Sequence, residues 1–165
     1  MNKARANVLP SFEIIKEPEL VFDPDDSNLS NIHPLCGLDE FGPYSQSIAG
    51  FVPSNIRLAI ICPEGGLERV SRLIYELGSS HEPKERSNYL ISFKGFNQVF
   101  GPSFGIPAKD SPQLIQIPQN EIDQALKRPE PHAAIGEMLL GCLRQLSSCR
   151  TSFDIVLIYL SLIHI

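Results

Sequence analysis

The sequence lacks the cysteine and histidine spacings from which proteins build metal sites. Its four cysteines form no CxxC pair, and Cys62 and Cys142 stand in apolar surroundings, which is typical of buried reduced thiols in a cytosolic protein. No two of its four histidines stand at a ligand spacing, so we expect scattered surface positions for them: His33, His81, His132 and His164. The sequence therefore predicts no metal site, and cytoplasmic localisation.

An excess of basic residues is also missing. The net charge is −5 and the pI is about 5.3, whereas a protein that binds nucleic acid by itself usually has a basic face. The central basic residues alternate with Glu82, Glu85 and Glu130, which predicts a mixed polar surface. These basic residues are Lys84, Arg86, Lys94, Lys127 and Arg128. Tight phosphate binding by this chain alone is therefore not expected.

Long hydrophobic segments are absent as well. The longest apolar run covers residues 153–165, which is shorter than the roughly 20 residues that span a bilayer. The N-terminal residues contain no continuous apolar stretch of the kind that a signal peptide needs. We therefore expect neither a membrane partner nor secretion.

Recognisable catalytic motifs are missing too. No serine stands in a GxSxG motif, and the acidic cluster of Asp23, Asp25 and Asp26 lacks the ligand offsets of a calcium loop. The cluster is typical of a solvated loop with Asx turns. We therefore expect no catalytic residue, no metal and no cofactor in this chain.

What the sequence does contain is the alternation of an α/β domain. The apolar run at 56–62 predicts a strand buried on both faces, as in a parallel sheet. Further strands are predicted at 89–93, 114–118 and 153–160, and helices at 67–78, 94–101, 121–126 and 132–146. Residues 11–22 predict two short extended pieces, and residues 23–34 and 102–112 predict loops.

A glycine-rich turn, CPEGG at 62–66, follows the first strong strand. Turns between a strand and a helix often hold phosphates. However, this one matches neither GxGxxG nor GxxxxGK[ST], and Glu64 and Glu68 would repel an anion. The favoured interpretation is a plain turn, and a ligand-binding turn is the alternative.

The segment GLDEFGPY at 37–44 places two aromatic residues around a Gly-Pro step. Gly37 and Gly42 permit unusual φ angles, and Pro43 fixes φ near −65°. We expect Phe41 and Tyr44 to pin this turn to the sheet. The segment is thus interpreted as a structural joint and not as a ligand contact.

Five segments in order resemble the short prokaryotic Argonaute proteins of the Piwi-domain family, which are built from MID and PIWI domains. They are EPELVF (17–22), GLDEFGPY (37–44), IRLAIICPEGGLERVSRLIYEL (56–77), GFNQVFG (95–101) and DIVLIYLS (154–161). The composition of residues 1–10 predicts a loose arm. The resemblance implies N-terminal flanking strands and a linker at 11–55, and a Rossmann-like MID half-domain at 56–160. It places 37–44 between the flanking strand and the MID domain.

The resemblance also implies a function. Such proteins hold a guide strand by its 5′ phosphate and pair it with a complementary target, in prokaryotic defence. Their phosphate pocket lies beyond the position of Leu160, so no nucleic-acid-binding residue can be assigned in this chain. A divalent cation at the guide phosphate belongs to the full-length parent. The parent is expected to be nuclease-inactive and to act with an effector subunit of TIR or Sir2 type.

The last residues depart from the family pattern. LSLIHI at 160–165 is also a translation of CTGTCTCTTATACACATC, a transposon end used in preparing sequencing libraries. We therefore expect a truncated chain in which 161–165 are not native, and a genuine terminal strand is the alternative. Truncation would leave an unpaired apolar edge on the sheet.

Two other classes of function remain open from the sequence. One is a small doubly wound nucleotide-binding domain or enzyme that uses the CPEGG turn as its ligand site. The other is an interaction module that uses the loops at 79–88 and 102–112. A nucleotide would perturb Gly65 and Gly66 in the first case, and would have no effect in a guide-binding fragment.

Overall fold

The computed structural model describes residues 13–44, 53–86 and 90–160. Its centre is strand β3, Asn55–Pro63, which is the apolar run predicted at 56–62. Three strands pair with β3 in parallel: β4 (Ser103–Gly105), β5 (Leu114–Ile117) and β6 (Ile155–Ile158). The predicted α/β class with a parallel, Rossmann-like open sheet is confirmed.

Opposite edges of β3 bind β5 and β6. The N–H of Ile60 donates to the carbonyl of Gln113 at 2.8 Å, on the β5 side. The carbonyl of Ile61 accepts from the N–H of Tyr159 at 2.9 Å, on the β6 side. The centre of β3 is therefore hydrogen-bonded along both edges, which suits its complete burial.

Helices cover both faces of this sheet. Helix α2, Leu67–Gly78, packs Val70 and Ile74 on one face, against Leu58, Ile60 and Cys62. Helices α4 (Gln119–Leu126) and α5 (Pro131–Leu146) cover the other face. The core on that face is formed by Ala59, Ile61, Ile117, Ile122, Cys142, Leu146 and Phe153. A 3₁₀ segment, Ser147–Ser152, then leads from α5 to β6. The result is a three-layered α/β/α arrangement.

The apolar stripe of α2 is only partly covered. Val70 and Ile74 are buried, but Leu73 is 47% exposed and Leu77 is 36% exposed. Gly78 is the last residue of the helix and has no positive φ, so the helix does not end in a glycine C-cap. The cap position is instead occupied by Ser79 in an extended conformation.

A small flanking unit precedes the sheet. Strand β1, Leu20–Val21, pairs antiparallel with β2, Ser30–Asn31, and helix α1 spans Pro34–Phe41. Strand β2 lies in the segment predicted as a polar loop, and residues 13–19 form no strand. Of the two extended pieces predicted in 11–22, a strand is therefore formed only at Leu20–Val21 among the described residues, and its pairing partner comes from the predicted loop.

The segment 37–44 differs from its prediction as a turn, because its first five residues belong to α1. Gly37 has no positive φ. It is required because a Cβ there would overlap the ring of Phe22. Gly42 does have a positive φ, 75°, and ends the helix as its C-cap.

The two aromatic residues of this segment have different environments. Phe41 packs on Phe22 with ring centroids 5.9 Å apart, so it contacts the flanking unit. Tyr44 is 53% exposed and does not anchor the segment as expected. The role of 37–44 as a joint between two parts of the protein stays a prediction.

Two further predictions about the sheet are wrong. The strand predicted at 89–93 is not formed over 90–93, where Phe93 makes an isolated antiparallel bridge with His81. The loop predicted at 102–112 instead contains β4. Short helix α3, Phe96–Phe100, connects these two segments and buries Val99, as predicted. The arm at 1–10 and the tail at 161–165 lie outside the described residues, as do 45–52 and 87–89.

The four cysteines are free thiols. Cys62 and Cys142 are buried on opposite faces of the sheet, and burial raises the pKa of both thiols. Cys36 and Cys149 are half-buried. The prediction of reduced, buried thiols is confirmed for Cys62 and Cys142.

Candidate functional site

The candidate site lies at the carboxyl edge of the parallel sheet. The loop after β3 leads to α2 on one face, and the loop after β5 leads to α4 on the opposite face. Adjacent parallel strands whose loops diverge in this way leave a crevice, where α/β proteins bind ligands. We call the space between residues 64–66 and 118–119 the carboxyl-edge crevice.

The β3–α2 turn has its shape because of two glycines. Gly65 has a φ of 75°, which other residues rarely adopt. The N–H of Gly66 donates to the carbonyl of Pro63 at 2.8 Å, and a Cβ on Gly66 would lie 2.9 Å from that oxygen. A Cβ on Gly65 would meet no described atom within 4 Å. The turn is therefore tight at Gly66 and open at Gly65.

The two walls of the crevice are hydrogen-bonded to each other. The N–H of Glu64 donates to the carbonyl of Ile117 at 2.9 Å. Within the described residues, no side chain caps the first turn of α2 or α4. Each of these first turns instead carries a carboxylate, Glu68 and Glu121 respectively. The carboxylates complement the helix dipoles and oppose a free anion at the same place.

A cation and a phenol meet at this edge. Arg69, in the first turns of α2, donates from Nη1 to the hydroxyl oxygen of Tyr159 at 3.1 Å. This hydrogen bond raises the pKa of Arg69 above its usual value. Tyr159 directly follows β6, and its backbone is held by the carbonyl of Ile61. The pair therefore places a positive charge beside the ends of β3 and β6.

The amino end of the sheet carries a stronger polar network. Arg57 donates from Nη2 to Oδ1 of Asp154 at 2.7 Å and from Nε to Oδ2 at 3.1 Å. The backbone N–H of Arg57 reaches the same Oδ2 at 2.9 Å, and Asp154 returns a backbone bond to Arg57 at 2.8 Å. Hydrogen bonds from the Arg57 side chain and then its backbone lower the pKa of Asp154 to about 2. Both side chains therefore serve to join β6 to β3.

The histidines do not assemble into a site. His33 caps α1, accepting from the N–H of Cys36 at 3.4 Å. His81 lies beside Glu76, with 3.4 Å between Nε2 and a carboxylate oxygen. His132 lies in the first turn of α5, and His164 is outside the described residues. Over residues 13–44, 53–86 and 90–160, no group of three His, Cys, Asp or Glu side chains could hold a metal ion.

The acidic cluster at 23–26 is a local turn. Oδ1 of Asp23 accepts the N–H groups of Asp25 at 2.8 Å and Asp26 at 3.2 Å. This is the predicted Asx geometry, in which the carboxylate satisfies its own backbone. The cluster therefore has a structural explanation.

The sequence located the CPEGG turn but not the two side-chain pairs at the ends of the sheet. Arg69 and Tyr159 are 90 residues apart along the chain, and Arg57 and Asp154 are 97 apart. A signal for the second pair exists only in hindsight: each member stands at the start of an apolar strand, where parallel pairing brings strand starts together.

No protein-family model matches the chain, and no curated protein matches it. Among the described helices, none has the length and apolar character needed to cross a membrane.

Proposed function

We propose that this chain forms the first half of the MID domain, with its flanking strands, of a guide-strand-binding protein of the Argonaute/Piwi type. One observation carries the proposal. Each of the five segments of the resemblance includes a helix or strand, in chain order: 17–22 includes β1, 37–44 includes the second part of α1, 56–77 includes most of β3 and α2, 95–101 includes α3, and 154–161 includes β6. Each segment thus corresponds to an element with a position in the fold.

The sheet suits the scaffold role that this proposal requires. In a guide-binding protein, base pairing recognises the target sequence, and the protein holds the backbone and the ends of the guide. The resemblance places the phosphate pocket beyond Leu160, and Arg69, hydrogen-bonded to Tyr159 directly after β6, adds a positive charge near that end of the sheet. Residues 13–160 contribute structure in this proposal, and not catalysis.

The partners follow from the same proposal. Guide and target nucleic acids bind the full-length parent, together with a divalent cation at the guide 5′ phosphate. A separate effector subunit, of TIR or Sir2 type, carries the enzymatic activity. The parent acts in the cytoplasm and is itself inactive as a nuclease.

The test begins with the genomic DNA after the codon for Leu160. The expected reading frame continues into the family's phosphate pocket, which by the resemblance contains a Tyr or His, a Lys, a Gln or Arg, and a second Lys. The encoded longer protein should then bind a fluorescent oligonucleotide with a 5′ phosphate more tightly than the same oligonucleotide with a 5′ hydroxyl, measured by anisotropy. The 165-residue chain serves as the control and should show no such preference. A stop codon after Ile165, or equal affinity of the longer protein for both oligonucleotides, contradicts the proposal.

A second candidate function rests on the crevice itself. The diverging loops and the open Gly65 are the features of a doubly wound nucleotide-binding domain. Titration of the 165-residue chain with ADP, followed by amide NMR, separates the two candidates. Saturable shifts at Gly65 and Gly66 favour a nucleotide site, and unchanged signals favour the guide-binding scaffold. The exposed carboxylates of Glu64 and Glu68 argue for the second outcome.

A further inference from the structure

The outer face of α5 is exposed although it is mostly apolar. On the side of the helix that faces away from the sheet, exposed positions recur at intervals of three, four and three residues, which is the spacing of a seam between two helices. They are Ala133, Gly136, Leu140 and Leu143. Leu140 is 47% exposed and Leu143 is 38% exposed, so neither is needed for the core of the chain itself. We call these four residues the α5 seam.

Gly136 points to a close neighbour on this face. Glycine weakens the interior of a helix relative to alanine. The fold does not require it here, because its φ is not positive and a Cβ would meet no described atom within 4 Å. A glycine does allow another backbone to approach closely. Its position in the α5 seam therefore suits the packing of a second helix.

The charges beside the α5 seam indicate which helix this is. Glu137 and Arg144 stand seven residues apart, so they lie on the same edge of the seam. When two identical helices pair antiparallel about a twofold axis, this edge meets itself with the chain direction reversed. Glu137 of each copy then lies beside Arg144 of the other. In a parallel pair the edge would face Leu139 and Leu146, which pack in the core and offer no charge.

We propose that the α5 seam is the contact between two copies of this chain, whose α5 helices cross antiparallel near Leu140. Leu140 and Leu143 of each copy pack across the axis, and two Glu137–Arg144 ion pairs line the edge. One pair of helices is smaller than the interface of a permanent dimer, so the Kd should be on the order of 10–100 µM. The chain is then monomeric at low concentration. This proposal is independent of the guide-binding function.

The present contacts of the two charged residues permit these ion pairs. Oε2 of Glu137 lies 3.6 Å from Nη1 of Arg128, and both side chains are more than half exposed. Exposed pairs of this kind contribute little to stability. Arg144 is exposed and makes no ion pair with any residue in 13–44, 53–86 or 90–160. A second copy therefore supplies Arg144 with a carboxylate and gives Glu137 a second cation.

Sedimentation equilibrium of the 165-residue chain, over concentrations that bracket the expected Kd, tests the proposal. Glu137→Arg leaves two arginines on the edge, and Arg144→Glu leaves two glutamates. Each variant alone should associate about 10-fold more weakly than the parent, because like charges meet. An equal mixture of the two variants should restore the dimer, because every contact then joins unlike charges. Unchanged association of either single variant, or no association in the mixture, overturns the proposal.

Two matched comparisons separate the α5 seam from other surfaces. Lys109→Glu reverses a charge in the exposed loop before β5 and should leave the association unchanged. Gly136→Gln places a long polar side chain in the seam and should weaken association about 10-fold, whereas Gly141→Gln lies outside the seam and should not. The fold should tolerate both, because a Cβ at either glycine meets no described atom within 4 Å. Equal weakening by the two glutamine variants, or any weakening by Lys109→Glu, would place the contact elsewhere and contradict the proposal.

Discussion

The two ends of the central strand β3 are built differently. At the amino end, Arg57 and Asp154 join β3 to β6 through side-chain and backbone hydrogen bonds. At the carboxyl end, two glycines form a tight turn, and the side-chain link to β6 is the hydrogen bond from Arg69 to Tyr159. The polar groups that fix the sheet thus lie at the end opposite the crevice.

This difference shows how a sheet can be stabilised by polar groups at one end and remain accessible to a ligand at the other. Charged groups that are paired with each other are unavailable to a ligand. The bidentate pair at the amino end therefore strengthens the sheet without occupying the crevice. The carboxyl end keeps main-chain N–H groups and one arginine near the surface, where a ligand can reach them.

The largest expected effect comes from truncating a buried side chain in the middle of β3, between the two ends that are compared. Ile61 is fully buried against α4 and α5. Ile61→Ala should lower the free energy of unfolding by about 2–5 kcal/mol, since it creates a core cavity. Urea unfolding measures this change. Leu140→Ala, at a site 47% exposed on α5, is the control, and an equal loss there would contradict the assigned core.

The next effect distinguishes the two glycines of the β3–α2 turn, at the carboxyl end of β3. Gly66→Ala should cost about 1–3 kcal/mol, because its Cβ would press on the carbonyl of Pro63. Gly65→Ala should cost about 1 kcal/mol, because only its φ of 75° is unfavourable. Gly65→Asn should recover part of that loss, since asparagine adopts positive φ more readily. Chemical denaturation measures the free energy of unfolding of each variant. A Gly66→Asn variant more stable than Gly66→Ala would contradict the steric explanation given for Gly66.

A smaller effect tests the amino end through pH. The pKa of Asp154 is lowered to about 2 in the folded chain, from an ordinary value of 3.8. Its stabilising contribution is therefore complete above about pH 4 and is lost as the pH falls towards 2. Both partners are more than a third exposed, so the effect should be smaller than that of the core substitution. Thermal unfolding of Asp154→Asn should be less pH-dependent than that of the parent in this window.

The smallest effect concerns the link at the carboxyl end. Tyr159→Phe keeps the ring and removes the oxygen that accepts from Arg69. Because Arg69 is exposed, stability should not change measurably, whereas the NMR signal of the Arg69 guanidinium should move. A clear loss of stability would show that the two ends of β3 are equally fixed.

Much of the α/β layer could be predicted from the sequence. The apolar runs of β3 and β5 and the periodicity of α5 each identify an element, because buried faces impose a pattern on consecutive residues. Strand β4 was missed because three residues, Ser103–Gly105, are too few to show such a pattern. The strand at 89–93 was predicted from apolar composition alone, and Leu90 and Ile91 are in fact 41% and 37% exposed.

Helix α1 was missed for another reason. Its residues include two that lower helix propensity, Pro34 and Gly37, and Gly42 follows it directly. Pro34 stands at the helix start, where its missing N–H costs nothing, and Gly37 is needed for contact with Phe22. Tertiary packing, and not local helix propensity, therefore determines that this segment is helical. The ion pair between Asp39 of this helix and Lys94 depends on that same packing, so the sequence could not reveal it.

The two buried thiols allow the opening of the helical layer on each face of the sheet to be measured separately by chemical labelling. Cys62 lies in β3 under α2, and Cys142 lies in α5 on the side packed against the opposite face of the sheet. A thiol reagent can label either one only while its layer is lifted, because burial blocks access and holds the thiol protonated. The labelling rates of the two positions therefore report how often each layer opens, and whether the two layers open together or one at a time.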